Sequence, residues 1–304
     1  MYKCPKWGFE RSHGSRFWEN CGNVLQSDNS STKKSGNAGL IAAIILLCLL
    51  IVTIIVGAIF IFGNHSAEPV VQPQVESFAA DNVSKAVNDY ITTYVGHNSI
   101  AVAILDNKTS TMICSNNSKD IYSSWGCYYP VYLAYSRLNG YYPNTLNNIL
   151  SSDAATCNYA ANTAMNHMGG VSSTTSYIYS LYNCNSTSYG RYFGDVTSKT
   201  DNYTNAEDAV KLLGEFNKSF PASALCYNMS TFGIVPPNGA NVYCQLGSEN
   251  ISKRVNLNMY AIVKGYNSDY CVAILTRNSM GKQHISQLLS VIHSNMEELS
   301  KWKE

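Results

Sequence analysis

From Gly39 to Gly63 the chain reads GLIAAIILLCLLIVTIIVGAIFIFG, a run with no charged side chain and with Thr53 as its one clearly polar residue. A helix rising about 1.5 Å per residue needs roughly 20 residues to cross a hydrocarbon core ~30 Å thick, and this run supplies them. A secretory leader has a shorter apolar core, nearer the N-terminus, that ends at a small-residue cleavage site. The run is therefore expected to be a membrane-spanning helix. Before it stand Lys3, Lys6, Arg11, Arg16, Lys33 and Lys34 against Glu10, Glu19 and Asp28; after it come Glu68 and Glu76, with no cation until Lys85. Positive flanks stay cytoplasmic, so the N-terminus is expected inside a cell membrane and the C-terminal part outside.

The expected plan is a head (1–25), a linker (26–38), the span (39–63), a stalk (64–79) and one outer domain (80–304). Some 240 residues beyond the span suffice for one domain with a real core. The net charge of +1 gives no electrostatic basis for binding nucleic acid. Cysteines divide by compartment: Cys4 and Cys21 inside, Cys48 in the span, and Cys114, Cys127, Cys157, Cys184, Cys226, Cys244 and Cys271 outside. That outer set is odd, so at least one thiol stays free or pairs between molecules, and the connectivity is open. The sequons at Asn82, Asn107, Asn202 and Asn228 matter only in a eukaryotic secretory pathway.

Tyr2 to Gly22 reads YKCPKWGFERSHGSRFWENCG and resembles the small zinc ribbon that opens many bacterial membrane proteins. Such a ribbon closes a tetrahedral site with two CxxC knuckles. Here the knuckles are Cys4-x-x-Trp7 and Trp18-x-x-Cys21, each short of one thiolate, and His13 lies off the family's geometry. No zinc is expected there, and no cofactor elsewhere.

In the outer part, Pro69 and Pro73 mark an extended stalk over Ser66–Ser77, followed by a helix from Asp81 to Val95. Ser99–Leu105 (SIAVAIL) and Thr111–Cys114 read as strands about the Asp106-Asn107-Lys108 turn. Ile121–Asn139 suggests a helix stopped by Gly140, and Leu146–Met168 a second closed by Gly169-Gly170. Thr204-x-x-Glu207 has capping-box spacing before Ala206, Val210, Leu213 and Phe216. Strands follow at Val242–Cys244, Asn256–Val263 and Tyr270–Leu275, then a helix over Gln283–Leu299 with Ile285, Leu288, Leu289, Ile292 and Met296 on one face. The order predicts an α+β sandwich: a five-stranded antiparallel sheet packed with helices, plus a helical half.

That order, together with IYSSWGCYYPVYLAY, LSSDAATCNYAANTAMNHMGG, DNYTNAEDAVKLL and NMYAIVKGYNSDYCVAILTRNS, resembles the class A β-lactamase and penicillin-binding serine hydrolase superfamily over roughly Ala80–Leu299. A ribbon head, one span and such a domain is an arrangement associated with Gram-positive bacteria. The family's nucleophile is the serine of SxxK, kept deprotonatable by the lysine one turn later. The resemblance places Trp125 at the serine and Tyr128 at the lysine. It places Ser152-Asp153-Ala154 at the SDN motif and Gln245-Leu246-Gly247 at the KTG motif. The serine, the lysine, the SDN amide, and the KTG cation and hydroxyl are all replaced. No glutamate between Tyr189 and Asn202 matches the deacylating base; Asp195 is the nearest carboxylate.

The resemblance thus implies a pseudoenzyme that binds a peptidoglycan fragment or a cell-surface protein through the old cleft or a new surface. Two alternatives stay open. One is a hydrolase with a displaced nucleophile, for which Ser124 and Cys127 stand near the lost serine; Cys127 and Cys244 flank motif positions, and a disulfide between them would shut the pocket. The other is an architectural domain whose cleft is filled by Trp125 and its neighbours.

Overall fold

The structure is a computed structural model describing residues 2–3, 10–11, 72–96, 98–140, 143–251, 254–278 and 281–301. The chain divides into two compact units, residues 1–69 and 70–304. In the first, β1 (Tyr2–Lys3) and β2 (Glu10–Arg11) pair antiparallel, Tyr2 opposite Arg11. Cys4, Trp7, Trp18, Cys21, the linker and the apolar run 39–63 lie outside the described residues. Among the described residues no helix is long and apolar enough to cross a membrane, and no group of His, Cys, Asp and Glu is placed to hold a metal.

The second unit begins with α1 (Gln72–Tyr94), which replaces the later part of the expected stalk. Pro73 sits in its first turn, where a missing N–H interrupts no helical hydrogen bond. Val83, Val87, Tyr90 and Ile91 recur at helical spacing on its buried side. Next come β3 (Ile100–Asp106), β4 (Met112–Cys114) and β5 (Tyr122–Ser123). The helical half holds α2 (Tyr129–Asn139), α3 (Pro143–Ile149), α4 (Ala154–His167) and α5 (Val171–Tyr182). After β6 (Tyr203–Thr204) and α6 (Ala206–Ser219), the chain returns through β7 (Asn241–Ile251), β8 (Arg254–Lys264), β9 (Asp269–Thr276) and α7 (Gly281–Lys301).

Among the described residues, five strands form the antiparallel sheet that the sequence predicted, in the order β4-β3-β9-β8-β7. Both faces of its centre are buried, and the period of two sorts the side chains between them. On β3, Ala101 and Ala103 face the core shared with α2 and α6, while Ile100, Val102 and Ile104 face the core shared with α1 and α7. On β9 the same division puts Cys271, Ala273 and Leu275 on the first side and Tyr270, Val272 and Ile274 on the second. The small side chains of β3 lie where α6 crosses, with Gly214 of that helix against Leu105.

Three local expectations change. The helix read over Ile121–Asn139 starts only at Tyr129, because Tyr122 and Ser123 pair with Thr204 and Tyr203. The helix read over Leu146–Met168 is two, split where the Asp153 carboxylate accepts the Thr156 N–H at 2.8 Å and caps α4. The cap of α6 is Asn205 rather than Thr204: its Oδ1 accepts the Asp208 N–H at 2.7 Å, while Glu207 takes the Ser118 hydroxyl. Asn205→Ala is expected to cost about 1 kcal/mol, a fall of about 2–4 °C in Tm for a domain of this size. Asn205→Ser retains an acceptor and should recover most of that loss in thermal unfolding.

Candidate functional site

The site is built on the turn that carries the chain from β5 into α2. The Ser124 N–H donates to the Asn202 carbonyl at 2.8 Å, and the Cys127 N–H closes the turn on the Ser124 carbonyl at 3.1 Å. Between them Gly126 has φ +70°, a left-handed conformation that side chains with a Cβ resist. Tyr128 is the N-cap residue of α2, and Pro130 lies in the first helical turn. The placement of Pro130 costs no hydrogen bond.

This turn is pressed against β7 backbone to backbone. A Cβ on Gly247 would stand 2.0 Å from the Trp125 carbonyl carbon, and one on Gly126 would stand 2.4 Å from the Gly247 Cα. The strand also holds the helix start, since Gln245 Oε1 accepts the Tyr129 N–H at 3.1 Å. From β8, Asn258 Nδ2 donates to the Ser123 carbonyl at 2.7 Å. Three segments far apart in sequence thus fix one turn.

In front of the turn lies an open cavity of about 740 Å³. Trp125, Tyr128, Ala154, Leu246 and Gly247 line it, so the three motif segments named by resemblance do converge. Asp153 does not line it and serves as a helix cap; its carboxyl is held below the usual range by the Thr156 hydroxyl and N–H. Ser152 is exposed and outside the lining, and Gln245 is buried behind it. The Tyr128 hydroxyl donates to Asn158 Oδ1 at 2.7 Å, and its ring packs on Phe193 with centroids 4.6 Å apart. Burial pushes the Tyr128 phenol above its ordinary pKa, so it stays protonated at neutral pH.

The opposite wall was not legible as a site in the sequence. Residues 191–201 form a loop whose ends are tied by Arg191, with Nη2 2.8 Å and Nε 2.9 Å from Asp201 Oδ1. Asn202 Oδ1 accepts the N–H groups of Gly190 and Arg191 at 3.0 and 3.1 Å. Asn162 brackets the loop, accepting the Phe193 N–H and donating to the Phe193 carbonyl. Tyr192 and Phe193 come from this loop, and Tyr227 and Phe232 from the segment before β7. The available signal was a basic and an acidic residue flanking a Gly/Ser/Thr-rich stretch. Asp195 is tied to its own loop, accepting the Thr197 N–H and hydroxyl at 2.9 and 2.7 Å, which hold its carboxyl below the usual range.

Nucleophilic chemistry finds few of its parts here. Among the described residues, Lys199 is the one lysine in the lining, exposed on the loop, and no histidine lines the cavity. Ser124 is in the lining, but its Oγ is buried and has no hydrogen-bond partner among the described residues, so no base is bonded to it. Burial pushes the Cys127 thiol up to about 12, far from a thiolate. Cys127 belongs to the core on the helical side of the sheet and Cys244 to the core on the other, so the pocket-closing disulfide between them is not formed. Among the described residues, the buried polar side-chain atoms without partners, Ser124 Oγ, Trp125 Nε1 and Gln245 Nε2, all fall at this turn or on the strand against it. Unpaired polar atoms are rare in native interiors, and their concentration here separates the turn from ordinary core.

No family model and no curated protein matches the chain. Solved structures do match the chain over about seven-tenths of its length. A β-lactamase from Streptosporangium roseum aligns at 13% identity and TM-score 0.55, covering 70% of this chain and 98% of its own. The class A β-lactamase PenP from Rhodopseudomonas palustris aligns at 15% and 0.55, covering 71% and 100%. A mutant of PBP-A, solved as an acyl-enzyme complex with penicillin G, aligns at 12% and 0.55, covering 72% and 97%. The chain's larger unit has a β-lactamase-like fold.

Proposed function

We propose that this domain is a non-acylating binding module built on a serine hydrolase fold. It is carried on the outer face of a cell membrane by a helix over 39–63, and its cleft takes a peptidoglycan fragment. The observation that carries the reading is Trp125: at the position the sequence resemblance gives the nucleophile, the cavity of about 740 Å³ is lined by an indole with no hydroxyl. That volume is typical of small-ligand sites, which supports binding over a filled architectural cleft. The lining mixes the rings of Trp125, Tyr192, Tyr227 and Phe232 with the hydroxyls and amides of Ser198, Thr200, Asn158 and Asn202. Such walls suit a ligand with apolar faces and many hydrogen-bonding groups, as sugar and short-peptide fragments have. The concave shape favours such a fragment over a protein surface.

Incubation of the purified full-length chain with a reactive penicillin is expected to leave its intact mass unchanged, while soluble peptidoglycan fragments bind in titration calorimetry. A stoichiometric penicilloyl adduct would overturn the reading. If that adduct maps to Ser124, the domain is instead a hydrolase with a displaced nucleophile.

A further inference from the structure

Behind the wall that carries Tyr227 and Phe232, three thiols gather. Cys226 and Cys244 are direct partners in an isolated parallel β-bridge, with the Tyr227 N–H donating to the Cys244 carbonyl at 3.0 Å. Cys244 Sγ lies 3.5 Å from the Tyr227 carbonyl. Cys226 Sγ lies 3.3 Å from the Leu150 carbonyl, and Cys157 Sγ 3.0 Å from the neighbouring Ser151 carbonyl. Neighbouring strands lie about 4.7–4.9 Å apart, inside the Cα range of about 4.4–6.8 Å that a disulfide spans. Their environments differ: Cys226 is exposed, whereas Cys157 and Cys244 are fully buried.

We propose that Cys226 and Cys244 are a thiol–disulfide exchange site that takes small-molecule disulfides such as glutathione disulfide and locks the cleft wall to β7. The exposed Cys226 is the point of entry. Its thiolate attacks one sulfur of glutathione disulfide, giving a mixed disulfide at Cys226 and releasing one glutathione thiolate. The Cys244 thiolate then attacks the Cys226 sulfur, closing the internal bond and releasing the second glutathione. The protons of the two cysteines end on the two glutathione thiolates. Two thiols are oxidised and one disulfide is reduced. Burial pushes the Cys244 and Cys157 thiols up to about 12, in keeping with Cys226 reacting first. The bond closes the loop 226–244, which holds Tyr227 and Phe232 of the cavity lining, onto the strand that supplies Leu246 and Gly247. It is independent of what the cleft binds.

The reduced full-length chain would be incubated with glutathione disulfide, acid-quenched, alkylated and mapped by mass spectrometry. The expected product is a peptide pair joined through Cys226 and Cys244. Cys244→Ala should trap glutathione on Cys226, and Cys226→Ser should leave Cys244 alkylatable. Oxidation should raise the Tm of the wild-type chain by about 6–12 °C and that of Cys226→Ser not at all. A bond from Cys226 to Cys157, a mixed disulfide that persists in the wild type, or an equal rise in Cys226→Ser would each overturn the proposal.

Discussion

Gly247→Ala is expected to lower the stability of the unit 70–304 by about 3 kcal/mol or more, at the upper end of what overpacking does in a closed interior. The added methyl would stand 2.0 Å from the Trp125 carbonyl carbon, 2.1 Å from its oxygen and 2.2 Å from the Gly126 N. All three are backbone atoms, so no side-chain rotation relieves the clash. Either β7 moves off the turn or the turn leaves Gly126's left-handed conformation, and both routes break the contact that forms the cleft floor. In thermal unfolding the loss corresponds to about 6–12 °C for a domain of this size. Ser248→Ala, one residue on and exposed, is the matched control and should stay within about 0.5 kcal/mol of wild type. Gly126→Ala meets the same backbone from the other side, so the double variant should cost less than the sum of the two. A Gly247→Ala chain that melts with the wild type would mean that turn and strand are not in contact.

That contact also shows what could be read from the sequence and what could not. The sheet was legible because its central strands are short unbroken apolar runs bounded by turn residues: SIAVAIL and YCVAIL are buried on both faces, and a local window reveals them. The last helix was legible for the same reason, with Ile285, Leu288, Leu289, Ile292 and Met296 on one stripe and all fully buried. Gly247 was singled out by its place in a motif, but its partner lies more than a hundred residues earlier, and no local pattern announces that pairing. The two-residue strand β5 hid for a related reason. Tyr122 and Ser123 are too few to alternate visibly, and their partners Tyr203 and Thr204 lie across the helical half. The break between α3 and α4 was present as Ser151-Ser152-Asp153, but the flanking apolar residues continue in helical phase, so the cap was outvoted by the period. The Arg191–Asp201 tie was invisible in a stronger sense. A charged pair gains its meaning from the loop it closes, and nothing local to Arg191 or Asp201 says that the chain between them folds back on itself.

The motif residues divide along the same line. Trp125 and Tyr128 were placed at the cleft, and there they lie, because they follow directly from Tyr122, whose strand anchors the turn. Asp153 was placed at a motif and acts through the backbone of α4 instead. Residue type drew attention to Trp125 and Tyr128; only the assembled walls show the rings of Tyr192, Phe193, Tyr227 and Phe232 beside them.

Phe216→Ala is the second large effect expected, a loss of about 3–5 kcal/mol and a Tm fall of about 6–20 °C. Phe216 is fully buried on α6 and joins a cluster of rings: centroids lie 5.6 Å from Tyr132, 5.3 Å from Phe220 and 6.5 Å from Tyr129. Tyr129 in turn packs 5.5 Å from Tyr260 of β8 and donates its hydroxyl to the Ala209 carbonyl at 2.6 Å. One side chain therefore ties α6 to α2, and through Tyr129 to the sheet. Removing it leaves a cavity that these rings can fill only by tilting α2, since aromatic pairs depend on both distance and angle. Because α2 begins at Tyr129, the tilt would carry the Trp125 turn with it. Phe216→Ala should therefore weaken binding of peptidoglycan fragments at temperatures where the domain is still folded. Phe220→Ala, at the half-buried edge of the same cluster, should cost less and leave binding intact. Equal losses in both variants would show that burial alone, rather than the link from α6 to the cleft, sets the effect.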